Sequence, residues 1–342
     1  MQIAISIEVK FTKNQLMNIL SINYAKVLTA IILLYATTAQ AQVKWVNVNA
    51  SYAPLPEGFN VYKTTDSLDG KPFLAYYAIA DLKSKHLNFT TDTTYKRRFT
   101  PKQFYEKNGH PLLVVNTTFF SFATNQNLGV VIKNGKLVAY NIHSMPGKGK
   151  DTLTYRHPFT GAIGISKKHT ADVAWTFTDS TKKFAYATQQ PAEAVKDAVP
   201  NENLKGILQN ITTTPPTFKK WKMQTAVGGG PVLVQNGAVK VTNNEELKFT
   251  GKAINDQHPR TLIGYTKDNH LIVMVIEGRN PGIAEGATLT QEAELMVKLG
   301  CTEALNLDGG GSSCMLINGK ETIYGSDKIE RSVPAVFIIG TE

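Results

Sequence analysis

The sequence predicts an α+β protein of mixed, largely antiparallel β-sheets with few helices, and three observations carry that prediction. Short apolar or alternating runs dominate the chain. Three Asn-Gly pairs each sit between two such runs, and Asn-Gly is the strongest short hairpin signal because type I′ turns need positive φ at both central residues. Only two stretches carry helix start and stop signals.

In chain order, the predicted strands are Leu74–Ala80, Pro111–Val115, Leu128–Ile132, Ala162–Ile165, Pro231–Val234, Thr261–Tyr265, Leu271–Ile276, Ala304–Leu307 and Val333–Ile339. Asn134-Gly135, Asn236-Gly237 and Asn318-Gly319 mark the hairpins. One helix is predicted over Phe99–Asn108, with Thr100 as its cap and Pro101 at its first position. The other runs from Thr288 or Thr290 to Leu299, with Ala293, Met296 and Leu299 on one face and Gly300 as its stop. No repeat of regular period is present.

The chain has 342 residues and 42% hydrophobic content, enough for a large core in one big domain or two smaller ones. Residues 1–41 read as a signal peptide: Lys10, Lys13 and Lys26 precede an apolar run from Val27 to Tyr35, and Ala39-Gln40-Ala41 is a small-x-small cleavage site. That run is far shorter than the roughly 20 residues that span a membrane, and Met17 is an alternative start. No cysteine sits near the cleavage point, so no lipid anchor is expected. The expected address is periplasmic or secreted, in a bacterium, with no membrane anchor after signal removal. Residues 42–104 are expected as an amino-terminal β-rich portion and 105–342 as the main domain. The aperiodic stretch 185–220 is expected as a surface loop insertion, with a flap as one alternative.

The formal net charge is +10, and residues 1–41 carry three lysines against Glu8. The rest therefore keeps a positive balance that suits an anionic small molecule, but no lysine or arginine run marks a nucleic-acid footprint. Cys301 and Cys314 are the only cysteines. If the runs flanking residues 309–311 form a hairpin, Cys314 faces Leu307 and Cys301 lies roughly 20 Å away. A disulfide needs Cα atoms within about 7 Å, so none is expected there.

The most specific stretch is Asn306-Leu307-Asp308-Gly309-Gly310-Gly311-Ser312-Ser313. Alternation puts Leu305 and Leu307 into a core and Asn306 and Asp308 on the other face, at a strand's end. Three glycines then let the backbone bend and approach a ligand. Asn116 ends another buried strand, where it suits orienting a hydroxyl, binding a phosphate oxygen or stabilising its own turn. Gly228-Gly229-Gly230 enters the next strand, either as an anion-binding nest of N–H groups or as a site of close packing. His258-Pro259-Arg260-Thr261 leads into a further strand. Glu277 and Arg279, two apart, are expected to project from one face at a strand's carboxyl end, as a salt bridge or as a catalytic carboxylate beside a phosphate-binding fork. Arg331 follows in Arg331-Ser332-Val333-Pro334.

Several chemistries fail on inspection. Gly310-Gly311-Ser312-Ser313-Cys314 lacks the closing glycine of a nucleophile elbow. Gly319-Lys320 is followed by Glu321, not Ser or Thr, so there is no phosphate-binding loop. Neither glycine triplet is a dinucleotide fingerprint, and no His/Cys set has zinc spacing. No cofactor is called for. A divalent cation such as calcium, held by Asp308, Glu277 and backbone carbonyls, is compatible with the residues, although no EF-hand pattern is present.

Asn116 with Phe119-Phe120, Gly-Gly-Gly-Pro-Val-Leu at 228–233, His-Pro-Arg-Thr at 258–261, Glu-Gly-Arg at 277–279 and the 306–313 stretch occur in an order that resembles the phosphodiester glycosidase family over roughly residues 105–340. Two departures stand out: Thr117-Thr118 where the family usually has glycines, and Glu277 where it often has aspartate. The resemblance implies an exported hydrolase that cleaves the glycosidic bond of a sugar 1-phosphodiester of the N-acetylglucosamine type. On that basis Arg260 and Arg279, with the amides of Gly229 and Gly230, are expected to bind phosphate. Asp308 or Glu277 is expected to act as general base or nucleophile, and His258 as a proton donor. Asn116 and Asn306 are expected to hold sugar hydroxyls or water, with Gly309, Gly310, Ser312 and Arg331 completing the binding surface. The alternatives are a non-catalytic glycan or sugar-phosphate binding protein and a metal-dependent phosphodiesterase. Either way the partner is a small sugar-phosphate or glycan, not nucleic acid.

Overall fold

Capping explains where the two helices of the sequence reading begin. A computed structural model describes residues 43–200 and 203–341, so the signal peptide expected over 1–41 lies outside the described residues. The helix Pro101–Lys107 opens on a capping box in which Thr100 and Gln103 satisfy each other's backbone N–H groups, with Pro101 in the first turn. The helix Leu289–Lys298 opens on the same device, Thr288 with Gln291, and buries Leu289, Ala293, Leu295 and Met296. Three of the hairpins turn at Asn-Gly, with φ of 52° and 73° at 134–135, 54° and 74° at 236–237, and 48° and 73° at 318–319. These are the values a type I′ turn demands.

Every strand pairing is antiparallel, and three large sheets result. The first has eight strands, in the order 46–47, 59–64, 75–81, 270–276, 260–266, 301–306, 232–235 and 238–239. The second has seven, in the order 219–221, 185–188, 171–177, 160–165, 225–228, 131–133 and 136–139. The third has five, in the order 320–321, 315–317, 113–116, 335–341 and 87–93. One apolar cluster draws on all of them: Val61, Val273 and Leu305 from the first, Ile163, Trp175 and Val227 from the second, and Leu113, Val115 and Phe337 from the third. Such shared burial is the dominant favourable contribution to folding.

Residues 44–342 form one compact unit. The strands Phe59–Thr64 and Ala75–Asp81 of the expected amino-terminal portion continue the sheet that carries 270–276, and Leu87–Thr93 pairs with Ala335–Thr341 near the opposite end of the sequence. The stretch 185–220 is not a plain loop insertion. Ala185–Thr188 and Lys219–Trp221 are strands of the second sheet, Val195–Asp197 pairs with Tyr155–His157, and Leu204–Gln209 is a short helix capped by Asn203. The pairing was hidden because these strands have only three or four residues each, too few for an alternation to stand out from the polar composition around them.

The runs on either side of the 309–311 glycines do not form a hairpin. Cys301–Asn306 pairs with 260–266 and 232–235 in the first sheet, whereas Met315–Ile317 pairs with Leu113–Asn116 in the third. The glycines carry the chain from one sheet to another. Cys301 and Cys314 are free thiols, Cys301 buried and Cys314 half-buried.

Candidate functional site

Where the chain leaves the first sheet, its backbone is fixed by neighbours from two segments. Leu307 N–H donates to Thr261 O, Asp308 N–H to Thr117 O and Gly310 N–H to Pro259 O, each at 2.8 Å. Gly310–Ser312 then forms a single 3₁₀ turn that begins with φ of 61° at Gly310. Asn116 clamps the crossover. Its Nδ2 donates to Asp308 O at 2.6 Å, and its Oδ1 accepts from Thr261 Oγ1 at 2.8 Å and from Cys314 N–H at 3.1 Å. The side chain is fully buried and committed to protein partners, so Asn116 positions Asp308 rather than meeting a sugar hydroxyl.

Asp308 is half-buried and stands at the mouth of this crossover. Burial pushes its carboxyl up to about 7, against the opposing pull of a hydrogen bond to the Ser312 side chain, the Arg331 charge and the Gly309 N–H. Arg331 Nη1 donates to Ser312 Oγ at 3.3 Å, and its Nε and Nη2 donate to Asp327 at 2.9 and 2.5 Å. A Cβ on Gly311 would fall 2.2 Å from both Arg331 Nη2 and Asp327 Oδ2, so only glycine lets this ion pair close over the turn. Around Asp308 the polar supply is uneven: Thr117 Oγ1, Asn306 Oδ1 and Ser313 Oγ are buried without a hydrogen-bond partner. Such atoms are costly unless a ligand or water completes them.

Arg279 reaches the same loop, while Glu277 holds the 322–331 segment. Glu277 is buried, and its carboxylate accepts from Tyr324 N–H at 3.0 Å and from Asn280 Nδ2 at 3.4 Å. Their strand ends at Ile276 and Arg279 has φ of 61°, so strand alternation does not set their relation as the sequence suggested. Arg279 is exposed, without an ion pair or hydrogen bond among the described residues, and its guanidinium rests against Gly310, 3.0 Å from where a Cβ would stand. Asp308, Ser312, Arg331, Arg279 and the turn Gly309-Gly310 therefore come together, and Glu277 meets the 322–331 segment that carries Arg331.

Other expected residues do not join them. Arg260 is 1% exposed, with its Nε 2.8 Å from Glu292 and donating to Ala287 O at 2.9 Å, while Nη2 donates to Asp256 O at 3.2 Å. It is a structural cation and not a phosphate ligand. Burial pushes the Glu292 carboxyl up to about 7 against the opposing Arg260 charge, and neither of its oxygens has a hydrogen-bond donor. The 228–230 glycines form no anion nest: their N–H groups donate to Val130 O, Gly161 O and Asn306 O at 2.7, 2.9 and 2.7 Å. Close packing is their reason, since a Cβ on Gly229 would lie 2.3 Å from Asn306 O. Asn306 is fully buried and donates through Nδ2 to Gly230 O at 2.8 Å, so it too is part of the framework. His258 lines a shallow pocket of about 390 Å³ with Asp256, Gln257, Arg279 and Asn280. Burial and then the charges of Arg260 and Arg279 hold its imidazole below the ordinary value.

Sequence reasoning missed Tyr324, which docks the 322–331 segment onto Glu277, Asp327, which pairs with Arg331 inside that segment, and Phe122, whose ring is 64% exposed with the Arg331 guanidinium 5.5 Å from its centre. It also missed Lys248, whose stem packs on Gly230. Nothing in the local sequence marks any of them. Among the described residues no three His, Cys, Asp or Glu side chains cluster as metal ligands, and no helix is long and apolar enough to cross a membrane.

A strand-end carboxylate beside a glycine turn, with an arginine on either side, sits on an antiparallel α+β frame. Residues 110–340 match the phosphodiester glycosidase family, and the chain belongs to it. Human N-acetylglucosamine-1-phosphodiester alpha-N-acetylglucosaminidase is 32% identical over 103 residues, which are 28% of this chain and 20% of that protein. The match thus spans about a fifth of the length of such curated relatives. The catalytic domain of the zebrafish protein of that name, solved in a form auto-inhibited by its pro-peptide, superimposes with a TM-score of 0.55 at 18% identity, covering 89% of this chain and 90% of that one. A Burkholderia pseudomallei protein described as exported superimposes at 0.50 with 17% identity, covering 79% and 74%. Both structures share the fold.

Proposed function

We propose that this protein is an exported hydrolase that cleaves the glycosidic bond of a sugar 1-phosphodiester, releasing the sugar and a phosphate monoester. The observation that carries this reading is Asp308: a carboxyl held near neutrality at the mouth of a glycine turn, with Ser312 and Arg331 on one side and Arg279 free on the other. Family membership and the names of the relatives support the reaction class.

A phosphate monoester is a good leaving group, because its second ionisation lies near 6. Protonation of the departing oxygen therefore contributes little, and the demanding proton transfer is from the attacking water. Asp308 is the general base for that water, since a base works best when its pKa lies near the operating pH. Arg279 provides a fork for the phosphate oxygens as charge grows on them. Glu277, held by Tyr324 N–H, faces the sugar side and stabilises positive character at the anomeric carbon. Ser312 and Arg331 orient Asp308.

The test is incubation of the mature protein with an N-acetylglucosamine 1-phosphodiester, following released sugar, beside folded Asp308→Asn and Arg279→Ala variants. Release that Asp308→Asn abolishes and Arg279→Ala weakens is the expected result. No release from any of several sugar phosphodiesters, with ligand binding intact, would replace this reading with a sugar-phosphate binding protein.

A further inference from the structure

With Arg260 withdrawn into the framework, Arg279 is left alone among the cations first expected to bind phosphate. Lys248 supplies another. It follows the short helix Asn243–Glu246 and a left-handed Leu247 with φ of 53°. Two residues before it, Glu246 is buried and accepts from Gly161 N–H, Val232 N–H and Thr242 Oγ1, each at 2.7 Å, and from Trp175 Nε1 at 3.2 Å. The Lys248 charge also favours the ionised Glu246 carboxylate, but no ion pair or hydrogen bond engages the Lys248 amine among the described residues.

The stem shows where the amine goes. A Cβ on Gly230 would lie 2.3 Å from Glu246 Oε2 and 2.4 Å from Lys248 Cε, so carboxylate and stem pass the same glycine side by side. The amine continues beyond ion-pair range of Glu246 and stands over Phe119, 5.2 Å from the ring centre. Both contacts belong to segments that place Asp308. Gly230 exchanges hydrogen bonds with Asn306, two residues before Asp308. Phe119 lies three residues after Asn116, whose amide holds Asp308 O. Burial pushes the amine down from its ordinary value, with the Glu246 charge opposing. Glu246 offsets part of the cost of burying this cation but accepts none of its hydrogen bonds, so its three N–H groups are left for a ligand or water.

Resting on the glycosidase reading, we propose that Lys248 receives a phosphate oxygen of the substrate, as the point charge that works with the planar fork of Arg279. Ammonium and guanidinium suit different parts of one phosphate: the fork fixes two oxygens in a plane, and the flexible amine follows the charge that grows as the bond breaks. This role also gives Gly230 its purpose. It is small so that the lysine can cross to the site, and its N–H is not an anion donor.

The experiment is competitive acetylation of the full mature protein, read lysine by lysine by mass spectrometry, with and without inorganic phosphate. Phosphate is expected to slow labelling of Lys248 about tenfold while exposed lysines such as Lys83 keep their rate, and N-acetylglucosamine alone is expected to leave Lys248 unprotected. In parallel, Lys248→Met keeps the apolar stem and is expected to fold, with kcat/KM lower by about 100-fold, the scale of losing one transition-state charge partner. Lys248→Arg should recover part of that loss. Labelling of Lys248 that ignores phosphate would overturn the proposal, as would full turnover by Lys248→Met. Should the protein hydrolyse no sugar phosphodiester while phosphate still protects Lys248, the reaction reading falls and the anion site stands.

Discussion

Asp308→Asn is expected to stabilise the protein at alkaline pH while it abolishes activity, and the size of the gain follows from where the carboxyl sits. An ordinary aspartate ionises near 3.8, and burial lifts Asp308 to about 7. At about 1.4 kcal/mol for each tenfold change, the gap amounts to about 4 kcal/mol for a group wholly removed from water. Asp308 is half-buried at a loop, so solvent screening reduces this to about 2 kcal/mol. The sign is set by linkage. Between 3.8 and about 7 the unfolded chain has released the proton that the folded chain retains. Stability is therefore fully present below 3.8 and is lost as pH rises through about 7. Asparagine carries no proton to lose, so the variant escapes that decline. Thermal unfolding at pH 4 should find wild type and variant alike. At pH 8 the variant should melt roughly 4 °C higher, at roughly 2 °C per kcal/mol for a chain of this size. Glu292, also raised by burial, leaves a residual slope in both proteins. A variant less stable than wild type at pH 8 would refute the reasoning, because Arg331 and Ser312 would then outweigh burial and favour the ionised carboxylate.

Three further outcomes follow from the same geometry. Sugar release should rise with pH through about 7 and level off above it, since Asp308 must be ionised to accept a proton from water; a rate that instead falls through that region would make Asp308 the acid. Arg260→Met removes one half of a buried pair and strands Glu292, so denaturant titration should show a loss of about 3–5 kcal/mol with little specific effect on substrate affinity in protein that remains folded. Gly311→Ala pushes a methyl group into the Arg331–Asp327 pair, and the surface position of that pair should confine the stability cost to about 1–2 kcal/mol. Its kcat should fall much further than its melting temperature, because Ser312 and Asp308 lose their orienting arginine.

The turns and helix starts were legible because their chemistry is local. Asn-Gly requires nothing beyond its own φ angles, and a Thr-x-x-Gln box caps a helix whatever packs on it later. The Asn306–Ser313 stretch was legible as a site for a related reason: an amide, a carboxylate and a glycine turn lie within eight consecutive residues. What failed were the judgements that Arg260, Asn116, Asn306 and the 228–230 N–H groups remain free. His-Pro-Arg-Thr reads as an exposed cation ahead of a strand, yet Arg260 is neutralised by Glu292 on a different element, and no local pattern announces that pairing. Glycines have the same ambiguity, because a nest and a close contact need the same absence of a Cβ. Only the neighbouring strands decide, and here Val130, Gly161 and Asn306 claim the three N–H groups.

The crossover explains why the site lies where it does. A hairpin about the glycines would have paired the Asp308 backbone with its own return strand and left the carboxylate on an open edge. Sending 301–306 and 315–317 into different sheets opens a gap between them, and Asn116 bridges it because its strand belongs to the third sheet and its side chain reaches residues of the first. That bridge raises Asp308 to the mouth of the gap while keeping it partly out of water, which is the origin of its elevated pKa. Arg279, Lys248 and Arg331 come from three separate segments, and Arg331 alone of the three has a carboxylate partner there. Positive charge beside a raised carboxylate is what the proposed reading requires to draw in a phosphodiester and spare a base for water, and it is built from tertiary contacts that no single stretch of sequence contains.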